Sequence, residues 1–200
     1  MTKKLILLNA PPRCGKDTSV GIITEHLKQY SRTVVGHKFA APLKNGTHSF
    51  FGLEGVGIDH YEDSKGEPKP ELFGLTPREA YIKFSEECIK PVFGKDYFGR
   101  IASKSIQRLL LDTSDVVVVS DFGFLEEFIP LLADIPSHQM ISIQLEREGI
   151  GYEGDSRSYV DVSRHIDQVR VVSNTIEELE INIKKIMDDI YGVPSEVFVQ

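Results

Sequence analysis

A segment near the amino terminus has the composition of a phosphate-binding loop. Its sequence is APPRCGKDT at positions 10–18, and it lies between an apolar run, 5–8, and a predicted helix, 16–29. In a loop at this position, backbone N–H groups and the partial positive charge of the helix N-terminus bind phosphate oxygens. Gly15 lets the backbone approach a phosphate, and Lys16 can reach the β and γ oxygens of ATP. The predicted ATP-binding loop comprises Ala10, Pro12, Cys14, Gly15, Lys16, Asp17 and Thr18.

The loop departs from the usual pattern G-x-x-x-x-G-K-[ST] at two positions. Ala10 stands in place of the first glycine, and Asp17 stands where serine or threonine is usual. Oxygen ligands suit Mg²⁺, so Asp17 or Thr18 is predicted to hold this cofactor, directly or through water. ATP is the predicted phosphoryl donor.

Basic residues supply the charge that phosphoryl transfer requires. This reaction depends on positioning and charge neutralisation rather than on a covalent nucleophile. Lys16 and Arg13 are predicted to neutralise the transferring group. Arg147 and Arg157 lie in the segment 146–166, which is predicted to close over it as a lid and to exclude water.

Polar residues follow two later predicted strands. A run of four valines, 116–119, predicts a strand buried on both faces, and Asp121 comes shortly after it. Asp121 is predicted either to position Mg²⁺ through water or to contact an acceptor sugar. Asn174 and Thr175 follow the last predicted strand and are predicted to contact the adenine of ATP, because ligands bind at the carboxyl ends of parallel strands.

The elements that position these residues alternate between strands and helices. Strands are predicted over 5–8, 33–39, 116–119, 140–145 and 169–172, and helices over 16–29, 40–51, 97–111, 124–133 and 175–190. Another helix begins at the capping box of Thr76 and Glu79 and is predicted to end by Pro91. Segment 52–74 is predicted to be a loop. The alternation indicates an α/β protein with a parallel sheet flanked by helices.

Composition excludes several classes of function. The chain has 200 residues and a formal net charge of −7, so it is a poor candidate for binding duplex nucleic acid or anionic lipid. Two cysteines and no C-x-x-C spacing suit a reducing cytoplasm, and the apolar amino-terminal run is too short for a signal peptide. The six histidines have no metal-ligand spacing. The predicted partners are small molecules, with neither nucleic acid nor membrane, and the predicted location is cytoplasmic.

Several segments, taken in order, resemble the deoxynucleoside monophosphate kinases of bacteriophages. The loop R-x-G-K-D-T at 13–18 is similar to the phosphate loop of that family, and FAAPLK at 39–44 is similar to its F-A-x-P-L-K. TPRE at 76–79, FGKDYF at 93–98, Asp121 with Glu127, and SNT at 173–175 also have counterparts in it. The resemblance covers nearly the whole chain.

The resemblance implies a three-layer α/β/α P-loop kinase fold with a five-stranded parallel sheet and helical acceptor-binding and lid segments. It implies one domain over 1–200, with an acceptor-binding insertion at about 40–111 and a lid at about 146–166. The implied reaction transfers the γ-phosphoryl group of ATP to a deoxynucleoside monophosphate, giving ADP and a diphosphate. The implied setting is the host cytoplasm if the chain is phage-encoded, and the implied assembly is a homodimer.

The predicted acceptor-binding residues are Phe39, Lys44, Arg78, Asp96, Tyr97, Phe98, Arg100, Asp121 and Glu127. Phe39, Tyr97 and Phe98 are expected to stack on the acceptor base, although Phe39 and Phe98 also fit a core, and Asp96 also fits a helix cap.

Two departures from the family bear on the acceptor. Gly123 stands where the family often has arginine, and Arg157 stands where its lid often has histidine. Arg78 and Arg100 are the candidates to bind the acceptor phosphate in place of the missing arginine.

Two other functions fit the same residues. One is a different small-molecule kinase, such as a kinase of dephospho-coenzyme A. The other is a nucleotide-binding module without catalysis, which the altered loop and Gly123 would suit.

Overall fold

The computed structural model describes residues 3–155 and 157–192. Five strands form one sheet: β1 (Lys4–Asn9), β2 (Val34–His37), β3 (Val116–Phe122), β4 (Met140–Glu146) and β5 (Asp167–Val172). Their order is β2-β3-β1-β4-β5, and every neighbouring pair is parallel. This arrangement confirms the predicted five-stranded parallel sheet.

Within the described residues, seven α-helices accompany the sheet: α1 (Lys16–Leu27), α2 (Ala41–Phe50), α3 (Pro77–Lys83), α4 (Lys90–Phe93), α5 (Tyr97–Asp112), α6 (Leu125–Asp134) and α7 (Ile176–Tyr191). A π-helical turn over Phe84–Ile89 joins α3 to α4. Helices α2 to α5 lie in the predicted acceptor-binding insertion.

The strand β1 explains why the fold has three layers. Leu5 and Leu7 belong to a core that includes Ile106 of α5 and Leu131 of α6. Ile6 and Leu8 belong to a second core, on the other face of the sheet, with residues of α1 and α7. Because successive side chains of a strand point to opposite faces, a central strand between two helical layers must be apolar throughout. The structure confirms the three-layer α/β/α fold with a five-stranded parallel sheet.

The structure confirms the predicted first residues of two helices, but the predicted end of one of these helices differs. Thr76 and Glu79 form the predicted capping box, and Thr175 caps α7. The prediction that the helix from Thr76 ends by Pro91 is wrong, because helical structure continues to the end of α4. Pro91 lies in α4, which directly follows the π-helical turn, and the helical chain continues past it to Phe93.

Segment 52–74 is irregular, as predicted, and polar contacts tie it to the helices beside it. The ring of His48 in α2 lies 3.1 Å from the carbonyl oxygen of Val56 and 2.8 Å from the hydroxyl of Tyr81 in α3. Tyr61 is buried and donates to Glu71 at 3.0 Å. These contacts connect the segment to α2, which in turn contacts α3 through the pair His48 and Tyr81.

The segment between β4 and β5 differs from the helical lid predicted. Its described residues, 147–155 and 157–166, form turns and extended chain, with one antiparallel bridge between Arg147 and Ile150. Gly149 and Gly154 have φ angles of 71° and 72°, in the left-handed region that interrupts a right-handed helix. In the described part of the chain, no helix is long and apolar enough to span a bilayer.

Candidate active site

The phosphate loop connects β1 to α1 at the carboxyl edge of the sheet. Gly15, the residue before α1, has a φ angle of 86°. A Cβ atom at this position would lie 2.6 Å from Cδ2 of Leu179 in α7. Glycine is therefore required both by the backbone conformation and by the close approach of α7.

Lys16 lies across the loop that precedes it. Its Nζ donates hydrogen bonds to the carbonyl oxygens of Ala10 at 2.7 Å and Pro11 at 2.6 Å. Burial of the ammonium group, together with the nearby charge of Arg157, lowers the pKa of Lys16 to about 8. An anionic phosphate at this loop would favour the charged form of the lysine and raise its pKa again.

A cavity of about 360 Å³ opens directly above the loop. It is lined by residues 13–18 of the loop, 145–147 at the end of β4, 173–176 at the start of α7, and Leu179. The structure thus brings together Arg13, Lys16, Arg147, Asn174 and Thr175, which are far apart in the sequence. Ala10 and Pro12 are not part of this lining; Ala10 is buried below the loop.

The two polar residues at the start of α7 have structural partners as well. Oδ1 of Asn174 accepts from the backbone N–H of Glu148 at 3.0 Å, which joins α7 to the lid segment. Oγ1 of Thr175 accepts from the N–H of Glu178 at 3.1 Å as the helix cap. The thiol of Cys14 donates to the carbonyl of Leu145 at 3.3 Å, and burial raises its pKa, which suits a packing role.

Arg157 approaches the phosphate loop from the lid segment. Its Nε and Nη2 donate to the two carboxylate oxygens of Asp155 at 2.9 Å and 2.7 Å. The bond from Arg157 lowers the pKa of Asp155 to about 2. The guanidinium is close enough to Lys16, Asp121 and Glu127 to shift the pKa of each of them.

Asp121 and Glu127 are occupied by backbone N–H groups. The carboxylate of Asp121 accepts from Phe39 at 2.8 Å and from Ala40 at 2.9 Å, and so anchors the start of α2 to the end of β3. Oε2 of Glu127 accepts from Gly123 and Phe124, both at 3.2 Å. Burial raises the pKa of Asp121, and burial beside Asp121 raises that of Glu127 to about 8. Both carboxylates therefore have backbone partners within the protein; the predicted contacts of Asp121 with Mg²⁺ or an acceptor sugar, and of Glu127 with the acceptor, stay predictions.

Three predicted acceptor contacts lie elsewhere in the fold. Phe39 is 2 % exposed and packs against Phe122, so it is a core residue. Phe98 is also buried and packs on Tyr97. Lys44 is paired with Glu62, and a second carboxylate, that of Asp59, is 3.8 Å from its ammonium. The sequence alone could not distinguish an aromatic or charged side chain that binds a ligand from one that contacts another part of the protein.

The remaining predicted acceptor residues divide into two groups. Nη1 of Arg78 reaches the carbonyl of Gly154 in the lid segment at 3.3 Å, while the residue stays exposed. Arg100 instead pairs with Asp96 at 3.3 Å. Asp96 precedes α5 as its N-cap residue but makes no capping bond. Of the two arginines, Arg78 is therefore the one that contacts the lid.

The sequence analysis missed Asn9, the last residue of β1. Asn9 is fully buried, and its Nδ2 donates to the carbonyls of Phe122 and Ser158, both at 3.0 Å, and to the hydroxyl of Tyr152 at 3.1 Å. Its Oδ1 accepts from the N–H of Val160 at 2.8 Å. One amide thus holds the lid segment to the sheet. A polar residue ending an otherwise apolar strand was the available signal.

The loop also offers oxygen ligands for a cation. Asp17 and Thr18 are exposed, and both line the cavity beside Lys16. A carboxylate and a hydroxyl next to a phosphate-binding loop fit Mg²⁺, which is held by few protein ligands and completes its shell with water and phosphate oxygens. Among the described residues, no cluster of three His, Cys, Asp or Glu could hold a metal without such help.

The parallel sheet and the glycine–lysine loop between β1 and α1 define a three-layer α/β/α protein with a P-loop. No protein-family model matches the chain, and no curated protein matches it. Among solved structures it is similar to thymidylate kinase from Candida albicans, with 14% identity and a TM-score of 0.47 over 96% of this chain and 93% of that one.

Two other solved structures are similar in the same way. A protein of Chloroflexus aurantiacus J-10-fl, described as a candidate kinase, has 12% identity and a TM-score of 0.47 over 94% of this chain and 98% of that one. The septum site-determining protein MinD of Pyrococcus horikoshii OT3, solved with Mg-ADP, has 14% identity and a TM-score of 0.43 over 98% and 100%.

Proposed function

We propose that this chain transfers the γ-phosphoryl group of ATP to a nucleoside monophosphate, with a deoxynucleotide as the acceptor. The observation that carries the proposal is the meeting of Lys16 and Arg157 at the phosphate loop. Two cations from distant parts of the chain approach closely enough that one lowers the pKa of the other. Such repulsion costs stability in the empty site and is relieved when a polyphosphate binds between them.

The donor nucleotide occupies the cavity above the loop. Backbone N–H groups around Gly15 and the N-terminus of α1 bind the phosphates. Lys16 releases the carbonyl oxygens of Ala10 and Pro11 and turns its ammonium to the β and γ oxygens. Asp17 and Thr18 would hold Mg²⁺, which would supply further charge neutralisation to the phosphates. The adenine side of the cavity is bounded by residues 173–176.

The lid segment supplies positive charge, which stabilises the negative charge that develops during phosphoryl transfer. Asp155 holds the guanidinium of Arg157 through two hydrogen bonds, and the charge of Arg157 is near enough to Lys16 to lower its pKa. Arg147 lines the mouth of the same cavity. A lid held to the sheet by Asn9 keeps water from the γ-phosphoryl group, which would otherwise be hydrolysed.

The acceptor lies on the side of the insertion that faces the lid. Arg78 of α3 is exposed and donates to the carbonyl of Gly154, so its remaining guanidinium N–H groups can bind a phosphate of the acceptor. The deoxynucleotide class rests on the resemblance to the phage kinases.

An acceptor panel tests the proposal. ADP formation is measured with ATP, Mg²⁺ and, separately, dAMP, dGMP, dCMP, dTMP and a modified pyrimidine monophosphate, with AMP and CMP as ribose controls. We expect turnover with at least one deoxynucleotide. Lys16→Ala should lose about 3 kcal/mol or more of transition-state stabilisation, roughly a hundredfold in kcat/KM. Lys104→Ala, on the exposed face of α5, is the matched control and should retain activity.

The outcomes separate the alternatives. Turnover only with a non-nucleotide acceptor such as dephospho-coenzyme A would replace the nucleotide assignment with another small-molecule kinase. ATP binding without turnover on any acceptor, in folded protein, would favour the non-catalytic module. Full activity in Lys16→Ala would contradict the assignment of the loop itself.

A further inference from the structure

Gly123 follows β3 and lies under the side chain of Arg157. A Cβ atom built at this position would lie 2.6 Å from Cγ, 2.7 Å from Cδ and 2.8 Å from Cβ of Arg157. These are its three nearest heavy atoms, so the obstacle to a larger residue is the arginine stem. The φ angle of Gly123 is outside the left-handed region, and a residue with a side chain can adopt this backbone.

The backbone of Gly123 is held from both sides. Its N–H donates to Glu127 in α6 at 3.2 Å, and its carbonyl accepts from the N–H of Ser158 at 3.4 Å. Phe122, the preceding residue, is fully buried in the core. The strand end is therefore anchored, and a clash with the arginine would be relieved mainly by movement of the arginine.

The other end of the Arg157 side chain is also fixed. Asp155 holds its guanidinium through two hydrogen bonds, and the side chain is 23% exposed. The aliphatic part of the Arg157 side chain lies against Gly123, and Asp155 holds its guanidinium. A shift of the stem thus changes the position of the guanidinium relative to Lys16.

We propose that Gly123 is a positioning residue, which seats Arg157 where its guanidinium can act on phosphate at the loop. This inference rests on the proposed function of the site. A methyl group at position 123 moves the arginine stem outward, and the guanidinium moves with it. Misplacement of a charged group by about 1 Å can lower a reaction rate roughly a hundredfold.

The first test is a double-mutant cycle with Gly123→Ala and Arg157→Gly, since alanine at position 157 would keep the Cβ atom that lies 2.8 Å from a Cβ at position 123. We expect Gly123→Ala to lower kcat with the preferred acceptor on the order of ten- to a hundredfold, with ATP affinity within about twofold of the wild type. In the Arg157→Gly background the Gly123→Ala change should alter kcat by less than about threefold, because the whole side chain at position 157, Cβ included, is gone. Gly66→Ala is the matched control, since a Cβ there meets nothing within 4 Å.

The second readout needs no activity. The Nε–H proton of Arg157, identified by its absence in Arg157→Lys, should be resolved by NMR and exchange slowly, because Asp155 holds it. Gly123→Ala should shift this resonance or speed its exchange, and Gly66→Ala should not. If Gly123→Ala unfolds, the added change Arg157→Gly should restore folding by removing Cβ, Cγ and Cδ.

Each outcome decides the matter. An unchanged Nε–H signal with kcat within twofold of the wild type in Gly123→Ala would overturn the proposal. So would an equal loss of kcat from Gly123→Ala in the presence and absence of the arginine side chain, or failure of Arg157→Gly to restore a misfolded variant. If the Nε–H signal shifts in Gly123→Ala but the wild-type protein has no kinase activity, the contact between Gly123 and Arg157 is supported. The proposed function is then refuted separately.

Discussion

Replacing Asn9 with aspartate exchanges a buried donor for an acceptor at the point where β1 meets the lid segment. The amide of Asn9 donates to the carbonyls of Phe122 and Ser158 and accepts from the N–H of Val160. An aspartate retains the acceptor for Val160. When ionised, however, it places a negative oxygen against two carbonyl oxygens at 3.0 Å.

The magnitude follows from those contacts. Each buried polar group left without a partner costs about 1–3 kcal/mol, so the ionised variant should lose about 2–6 kcal/mol of unfolding free energy. A protonated carboxyl can donate to one of the two carbonyls, which lowers the loss to about 1–3 kcal/mol. Burial and the facing carbonyls therefore raise the pKa of the introduced carboxyl in the folded protein above its unfolded value of about 3.9.

The direction of the pH effect is then determined. Above pH ~3.9 the unfolded chain releases a proton that the folded variant retains, so stability falls with rising pH until the folded pKa is reached. The slope is at most ~1.4 kcal/mol per pH unit. Urea unfolding of the wild type, Asn9→Asp and Asn9→Ala between pH 5 and 8 measures it. Asn45→Asp, at an exposed position in α2, controls for the added charge.

The wild type supplies the baseline for each pH. A pH dependence of Asn9→Asp that parallels the wild type, or a loss below about 0.5 kcal/mol at pH 8, would refute the role given to the buried amide. Asn9→Ala lacks the new carboxyl and should show a loss with no additional pH dependence.

Three further predictions concern titrating groups and a helix cap. Glu127→Gln should become more stable relative to the wild type as pH rises from 4.5 to 8, by at most ~1.4 kcal/mol per unit, because the pKa of Glu127 is raised from 4.5 to about 8 in the folded protein; a pH-independent difference in urea unfolding would contradict this. ATP binding near pH 8 should take up a proton at Lys16 and weaken at higher pH, as calorimetry in buffers of different ionisation enthalpy would detect, whereas Lys16→Arg should abolish the uptake. Thr76→Ala should cost about 1 kcal/mol in thermal or urea unfolding through loss of the cap, and an unchanged midpoint would count against it.

The sequence alone predicted the parts of this protein that depend on neighbouring residues. The valine run of β3 and the apolar run of β1 indicated buried parallel strands, and Thr76 with Glu79 marked the start of α3. The phosphate loop could be located because glycine, lysine and a helix start must be adjacent. Backbone conformation, periodicity and capping act over a few residues, so a linear reading captures them.

Partners distant in the sequence were decided only by the tertiary structure. Asp121 is bound by backbone groups some 80 positions away, and Phe39 is enclosed by the core, although both looked equally suited to a ligand. The seat of Arg157 on Gly123 and the bonds from Asn9 to the lid likewise join segments remote in the chain. A polar or aromatic side chain can form its contacts with a ligand or with another part of the protein. Which of the two occurs depends on the groups that the folded chain brings within hydrogen-bonding distance of the side chain. A local sequence pattern does not predict those groups.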